Sequence, residues 1–201
     1  MKILIQARME SERLPGKTLM DINGKTLLER CVRGCEDAGF QAAVLTCSKE
    51  IADFCDKNRI EVYEGHPTDL ITRYRDAVEF YSIQQRFVRI TADCPMVNTP
   101  LLYYMIAQAE AADLDFLTNC PSVDGHDIQI CSVRLLNWLD EATSDPHHRE
   151  HVFTYLDIET PSWIKKGFYQ PPYLNKWFPK LSIDTQEDFN TISQYIKELE
   201  K

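Results

Sequence analysis

The sequence predicts an α/β fold in which helices cover both faces of a largely parallel sheet. Short apolar runs alternate with longer amphipathic stretches about four times in roughly the first 110 residues. The runs show little polar alternation, which is typical of strands buried on both faces. Turn residues, among them Asn23-Gly24 and Gly39, separate the runs. The 201 residues fit one domain over 1–201, because domains commonly hold ~150 residues.

Four strands and four helices are predicted in the first half. The strands are the apolar runs at 2–7, 42–47, 60–63 and 87–91. The first helix begins at Thr26 and carries apolar residues three and four positions apart along one face. The other helices are predicted at 49–58, at 68–84 and from Pro100, a residue tolerated in a first helical turn.

The second half is less regular. The pattern predicts a strand at 128–133, helices at 134–142 and 149–157, a short last strand at 181–183 and a closing amphipathic helix at 186–199. Between these elements lie aromatic residues whose apolar surface predicts a homodimer. They are Trp163, Phe168, Tyr169, Tyr173 and Trp177.

Charge and hydropathy exclude several classes of partner. Acidic residues outnumber basic ones by 31 to 22, so a nucleic acid or an anionic membrane surface would meet net repulsion. The longest apolar run, 101–107, is far shorter than the about 20 residues of a membrane span. The apolar N-terminal stretch is too short for a signal peptide.

Seven scattered cysteines without C-x-x-C pairs predict a reduced, cytoplasmic protein.

The loop after the first strand is a candidate phosphate-binding site, because ligands of open α/β sheets bind beyond the carboxyl ends of the strands. Arg8, Arg13 and Lys17 lie within this loop and could face a triphosphate. The alternative is a solvated charged loop, since Glu10 and Glu12 leave a net charge of +1. The G-x-x-x-x-G-K-[ST] spacing of a Walker A loop is absent.

Two carboxylates at predicted strand ends are candidate metal ligands. Asp93 follows the fourth strand and precedes a rigid Cys-Pro turn, a placement that suits a divalent cation. Asp184 follows the predicted last strand. The alternatives are a loop hydrogen-bond acceptor for Asp93 and a helix cap for Asp184 or Thr185. Cys94 has no obvious base nearby in the sequence, which favours an inert buried thiol.

Two further patterns are interpreted as structural. Asp113-Leu-Asp115 matches the D-x-D metal motif of glycosyltransferases, but Asp115 begins a predicted strand instead of ending one. His147 and His151 would share one helix face, yet no acidic third ligand has a diagnostic spacing for zinc.

Taken together, these segments resemble the SpsF-type cytidylyltransferases of spore-coat polysaccharide biosynthesis, relatives of the CMP-Kdo and CMP-acylneuraminate synthetases. The matching stretches occur in the family's order at 5–17, 24–30, 63–65, 69–74, 89–95, 124–127, 149–152 and 182–188. The resemblance implies a Rossmann-like, three-layer α/β/α nucleotide-diphospho-sugar transferase fold. It also implies Mg²⁺-dependent transfer of CMP from CTP to a small acidic acceptor such as a sugar acid, with release of pyrophosphate.

The resemblance also implies roles for particular residues. Arg8, Lys17 and Asp93 would be catalytic, and Asp93 and Asp184 would hold the metal ion. The expected nucleotide-binding residues are Ala7, Arg8, Ser11, Arg13, Lys17, Cys47 and Ser48. The expected acceptor-binding residues are Asp127, Arg149 and His151.

Two other functions stay open at this point. A glycosyltransferase of related fold would use a nucleotide-sugar and would need a working D-x-D motif. A catalytically idle nucleotide-binding protein is favoured by two departures from the family pattern. Glu10 stands where the family usually has Gly, and Gln129 stands where it often has Glu. Release of pyrophosphate from CTP would separate the three functions.

Overall fold

A computed structural model describes residues 1–120, 124–171 and 180–201. Within these ranges the strands are β1 Lys2–Gln6, β2 Asp21–Ile22, β3 Lys25–Thr26, β4 Ala42–Thr46, β5 Val62–Glu64, β6 Arg86–Thr91, β7 Phe116–Thr118, β8 Gln129–Ser132 and β9 Lys166–Phe168. The helices are α1 Leu27–Asp37, α2 Lys49–Lys57, α3 Leu70–Phe80, α4 Thr99–Ala111, α5 Val133–Ala142, α6 Pro146–Glu150 and α7 Gln186–Leu199.

The central sheet has seven strands in the order β5-β4-β1-β6-β8-β7-β9. Strands β4, β1 and β6 pair in parallel, whereas β8 runs antiparallel to both β6 and β7. Strands β2 and β3 form a separate hairpin. The predicted mostly parallel α/β sheet is therefore confirmed, and the carboxyl ends of β1 and β6 lie side by side.

Alternation along the strands divides the core into two layers. Ile3 and Ile5 of β1 pack into the cluster formed with α1, α2 and α4, whereas Leu4 packs with α3 and α5 on the opposite face. In β6, Val88 belongs to the first cluster and Phe87 to the second. Side chains two residues apart share a face of a sheet, so helices cover both sides as expected.

A third apolar cluster joins the first loop to the closing helix. Leu14 and Ile22 pack there against Ile183 and against residues of α7. Helix α7 begins with a capping box in which Thr185 and Asp188 bond each other's backbone N–H groups. This packing holds the segment before α7 against the loop that carries the predicted phosphate-binding residues.

The last predicted strand, 181–183, is wrong. This segment is bound by loops instead of by the sheet: Leu181 N donates to Asp124 O at 2.6 Å, and Ile183 N donates to Asp93 O at 3.0 Å. At Gly125, with φ of 100°, an added Cβ would lie 2.2 Å from the backbone of Leu181. Only glycine permits that approach, which brings the end of the segment to the carboxyl end of β6.

Two other expectations differ from the structure. The helix predicted at 149–157 is α6 followed by a separate 3₁₀ turn, Thr154–Asp157, because His151 ends the helix with φ −104° and ψ 71°. Strand β9 was not predicted, since its three residues include Lys166 and Gly167, which carry no strand signal.

The aromatic residues behind the predicted homodimer are only partly described. Trp163 and Phe168 are exposed, whereas Tyr169 packs against Tyr104 with ring centroids 4.5 Å apart. Tyr173 and Trp177 lie outside the described residues. The homodimer therefore stays a prediction, and light scattering at micromolar concentration tests it: a monomer mass would contradict it.

No helix within the described ranges combines the length and apolar character needed to cross a membrane.

Candidate active site

A cleft of about 940 Å³ opens at the carboxyl ends of β1 and β6. Its walls are the loop after β1, the end of β6 and the segment before α7. The lining residues are Gln6, Arg8, Glu10, Ser11, Glu12, Arg13, Pro15, Lys17, Thr18, Arg89, Thr91, Ala92, Asp93, Glu150, His151 and Asp184.

Lys17 lies at the centre of this cleft between two carboxylates. Its Nζ lies 3.0 Å from Asp93 Oδ2 and 2.9 Å from Asp184 Oδ1, and it donates to Ile183 O at 2.7 Å. Lys17 is only 8% exposed, so its ammonium is partly desolvated, and three oxygens satisfy its three donors. The contacts join three segments that are far apart in the sequence.

Asp184 is held in its ionised form by several cations. Burial alone would raise its pKa, but the hydrogen bonds and charges of Lys17 and Lys180 outweigh burial and lower it. Arg13 Nη2 lies a further 3.2 Å from Asp184 Oδ1. Asp184 therefore carries a negative charge at neutral pH, as a ligand for a divalent cation must.

Hydrogen bonds from the end of the loop after β1 return to backbone carbonyls near its start. Thr18 Oγ1 donates to Arg8 O at 2.8 Å, and Gly16 N donates to Met9 O at 3.2 Å. Gly16 has φ of 72°, a left-handed conformation that favours glycine. The closed backbone fixes Lys17, whereas the side chains of Arg8 and Arg13 remain more than half exposed.

The other predicted nucleotide-binding residues divide into two groups. Ser11 lines the cleft, and its Oγ accepts from Leu14 N at 3.4 Å. Ala7 is buried beside the cleft, where its N donates to Leu45 O. Cys47 and Ser48 are not among the residues that line this cleft, and Ser48 is the N-cap of α2. Their role in nucleotide binding stays a prediction.

Of the predicted acceptor-binding residues, only His151 lines the cleft. Asp127 lies in a separate small recess, where it accepts from Cys120 Sγ and from Gly125 N at 2.9 and 3.1 Å. Asp127 is thus engaged in its own turn and does not line the cleft, and its role in binding the acceptor stays a prediction.

Arg149 is likewise occupied away from the cleft. Its Nε donates to Asp69, its Nη1 to two backbone carbonyls, and its Nη2 to Thr72 Oγ1 at 2.9 Å and Asp140 Oδ1 at 2.6 Å. These bonds use all five N–H donors of the guanidinium. Arg149 therefore ties α3 to α5 and α6 and has no donor left for an acceptor.

The patterns interpreted as structural have structural partners. Asp115 is fully buried, and it accepts from Ser132 Oγ and from Arg134. Cys94 is buried, and burial raises the pKa of its thiol well above the usual value. Within the described ranges no group of three His, Cys, Asp or Glu residues is arranged to hold a metal ion.

Among the described residues of the cleft that the sequence analysis did not assign to the site, Arg89 is the one basic side chain. Arg89 lies within β6, and its guanidinium contacts Gln6 and Gln129 on the two neighbouring strands. The sequence signal for Arg89 was a charged residue between two apolar residues of a strand, because such a residue needs polar partners or a polar cavity.

The paired carboxylates suit Mg²⁺ held jointly with a substrate. Mg²⁺ is usually bound through one or two carboxylates together with phosphate oxygens and water, not by an all-protein cage. Asp93 and Asp184 supply two carboxylates that share one ammonium, and both line the same cleft. Their chemistry therefore fits such an ion.

The match to a family model places the protein in the class of nucleotidyltransferases. A family model described as cytidylyltransferase matches residues 2–200, and the chain belongs to this family. The resemblance indicated by the motifs is thereby confirmed, together with the three-layer α/β fold.

Two relatives and one more distant structure illustrate the relationship. A cytidylyltransferase structure from Leptospira borgpetersenii is 34% identical, with a TM-score of 0.88, and the match covers 98% of this chain and 86% of that one. The spore coat polysaccharide biosynthesis protein SpsF of Bacillus subtilis is 26% identical over 203 residues, 94% of this chain and 83% of SpsF. A CMP:2-keto-3-deoxy-manno-octonic acid synthetase complexed with CTP shares the fold, with a TM-score of 0.72 at 14% identity over 98% of this chain and 99% of that one.

Proposed function

We propose that this protein transfers CMP from CTP to a sugar acid, with release of pyrophosphate and in the presence of Mg²⁺. The observation that carries the proposal is the cleft in which Lys17 lies between Asp93 and Asp184, with Arg8 and Arg13 on the adjoining loop. Family membership supports CTP as the nucleotide, in preference to ATP, GTP and UTP.

The reaction asks the protein mainly for positioning and charge neutralisation. An acceptor oxygen forms a bond to the α-phosphorus of CTP, and the bond from that phosphorus to the bridging oxygen breaks. Pyrophosphate leaves with the electron pair of the broken bond. In this proposal Arg8, Arg13 and Lys17 would neutralise the charge that develops on this leaving group.

Asp93 and Asp184 would hold the metal ion. When bound, Mg²⁺ supplies Lewis-acid stabilisation of phosphate charge. The attacking oxygen of a sugar acid would be a hydroxyl, which has a proton to lose. His151 lines the cleft and is the base that we propose for an acceptor of that kind.

The nucleotide is tested first, without an acceptor. Thermal-shift titration with CTP, UTP, ATP and GTP in the presence of Mg²⁺ should show preferential stabilisation by CTP. Uracil would leave a buried polar group of the site without its hydrogen-bond partner. This costs about 1–3 kcal/mol, which is roughly tenfold to a hundredfold in affinity. Equal stabilisation by CTP and UTP would contradict the proposal, and selective stabilisation by a UDP-sugar would favour a glycosyltransferase.

The acceptor is tested by pyrophosphate release. CTP and Mg²⁺ are combined with a panel of sugar acids and sugar phosphates, and pyrophosphate is measured by a coupled enzyme assay. Acceptor-dependent release with at least one sugar acid is expected. Binding of CTP without release for any member of the panel would favour the idle nucleotide-binding protein.

A further inference from the structure

A second cleft of about 330 Å³ adjoins the first. Arg89 and His151 line both clefts, so these two residues form the boundary between them. Phe116 and Phe153 contribute aromatic surface to the second cleft, and Thr118 contributes a hydroxyl. Apolar walls with a few polar groups are typical of small-molecule sites, and this volume lies at the lower end of their usual range.

Arg89 is a cation on this boundary whose partners are neutral. Its Nε and Nη2 donate to Gln6 Oε1 at 3.2 and 2.9 Å, and its Nη1 donates to Gln129 Oε1. Within the described part of the chain it has no carboxylate partner, in contrast to Arg149 with Asp69 and Asp140. Its positive charge is therefore not neutralised by the protein there.

The strand register fixes this arrangement. Arg89 is paired with Gln129 across β6 and β8, and its side chain lies on the same face as that of Gln6 on β1. Gln6 Oε1 also accepts a hydrogen bond from the hydroxyl of Tyr74 at 3.4 Å, which helps to orient the side-chain amide of Gln6. Rigid strands thus hold the guanidinium in one place.

Two N–H donors of Arg89 remain free. A guanidinium has five, and the three hydrogen bonds above leave one on each terminal nitrogen without an acceptor among the described residues. Paired N–H groups of this kind match the two oxygens of a carboxylate in a bidentate fork. The carboxylates of the first cleft do not fill this role, since Asp93 and Asp184 are paired with Lys17.

We infer that Arg89 binds the carboxylate of the acceptor and that the second cleft holds the body of the acceptor. This inference rests on the proposed function for the identity of the acceptor as a sugar acid. Arg8, Arg13 and Lys17 line only the first cleft, which leaves them to the triphosphate, whereas Arg89 also borders the second. Arg89 is thus a specificity-determining residue that selects an anionic acceptor and sets it next to the nucleotide.

Two variants test this role by different means. Arg89→Gln removes the charge and the fork. Gln129→Glu leaves Arg89 in place but supplies a carboxylate partner of nearly the same shape, so it neutralises the guanidinium with little change in packing. The matched controls are Arg33→Gln on the exposed face of α1 and Gln108→Glu on the exposed face of α4, both outside the two clefts.

Ligand-detected NMR titration measures binding of gluconate, N-acetylneuraminate and 3-deoxy-manno-octulosonate, each compared with its carboxamide. At least one acid should bind the wild-type protein more tightly than its carboxamide. Both site variants should weaken that binding about tenfold to a hundredfold, the scale of losing hydrogen bonds between charged groups. The control variants should bind the acid as the wild type does, and CTP affinity should be unchanged in all four.

Several results would overturn the inference. These are no binding of any acid, equal binding of acid and carboxamide, or acid binding that the site variants do not weaken. Arg89-dependent binding of glucose 1-phosphate without binding of the acids would assign the site to phosphate instead. A loss of CTP affinity in Arg89→Gln would assign Arg89 to the nucleotide. Failure of pyrophosphate release alone would contradict the proposed function, while the titration would still decide the role of Arg89.

Discussion

Replacement of Lys17 by methionine separates two roles that its position allows. The ammonium neutralises Asp93 and Asp184 in the free protein, and we expect it to exchange one of these contacts for the outer phosphates when CTP binds. Methionine keeps most of the side-chain volume and removes the charge. A hydrogen bond to a charged group contributes about 1.5–3 kcal/mol, so Lys17→Met should weaken CTP binding roughly tenfold to a hundredfold.

Isothermal titration with CTP and with CMP at saturating Mg²⁺ measures this effect. CMP lacks the outer phosphates and should lose less affinity than CTP. Because Lys17 lowers the pKa of Asp184, the variant should also show a higher pKa for that carboxyl in an NMR titration. Lys57→Met on the exposed face of α2 is the control.

Two results would refute the reasoning on Lys17. Equal losses for CTP and CMP would place the phosphate contact elsewhere. Unchanged CTP affinity together with a raised pKa of Asp184 would show that Lys17 serves only as the counter-ion of the carboxylates.

Three further predictions concern single substitutions. Asp93→Asn should lower turnover by ~10² or more, the scale of losing a key electrostatic group, and near wild-type turnover at saturating Mg²⁺ would remove Asp93 from the site. Arg149→Met should lower the free energy of unfolding in urea by about 2–3 kcal/mol, since it leaves Asp69 without its ion-pair partner and Asp140 with Arg75 alone; unchanged stability would contradict the structural role. Asp188→Asn should cost about 1 kcal/mol at neutral pH. Burial raises the pKa of Asp188, but its hydrogen bonds outweigh burial and lower the pKa to about 2. The contribution of Asp188 to the free energy of unfolding is therefore complete above the ordinary value of 3.8 and is lost as the pH falls towards 2. A stability difference between variant and wild type that does not shrink over this range would argue against the assignment.

The elements that could be predicted are those whose signals are local. The closing helix was predicted over 186–199 and is observed at Gln186–Leu199, because an amphipathic pattern and a capping residue both mark its limits. The first helix begins after Thr26, which caps it as a Thr-x-x-Glu box. The segment 181–183 has the apolar character of a strand, but its backbone bonds to the loops at Asp124 and Asp93 instead of to a strand.

The candidate site could be predicted only in part. Lys17 and Asp93 follow strands that lie next to each other, so the expected sheet already placed them at one edge. Asp184 was expected for a different reason, as the end of a strand that does not exist. It reaches Lys17 through the apolar cluster under α7 and through the loop around Gly125.

The sequence by itself determined the α/β class, most element limits and the cation-bearing loop, because periodicity, capping and turn residues act over a few positions along the chain. The tertiary structure decided which charges meet. Arg149 meets the carboxylates of Asp69, the N-cap of α3, and of Asp140 in α5 and becomes structural, whereas Arg89 donates within the described residues to amides on its neighbouring strands. The physical reason is that the partner of a charged side chain is chosen by strand order and helix packing, across separations of up to 83 residues for these two arginines.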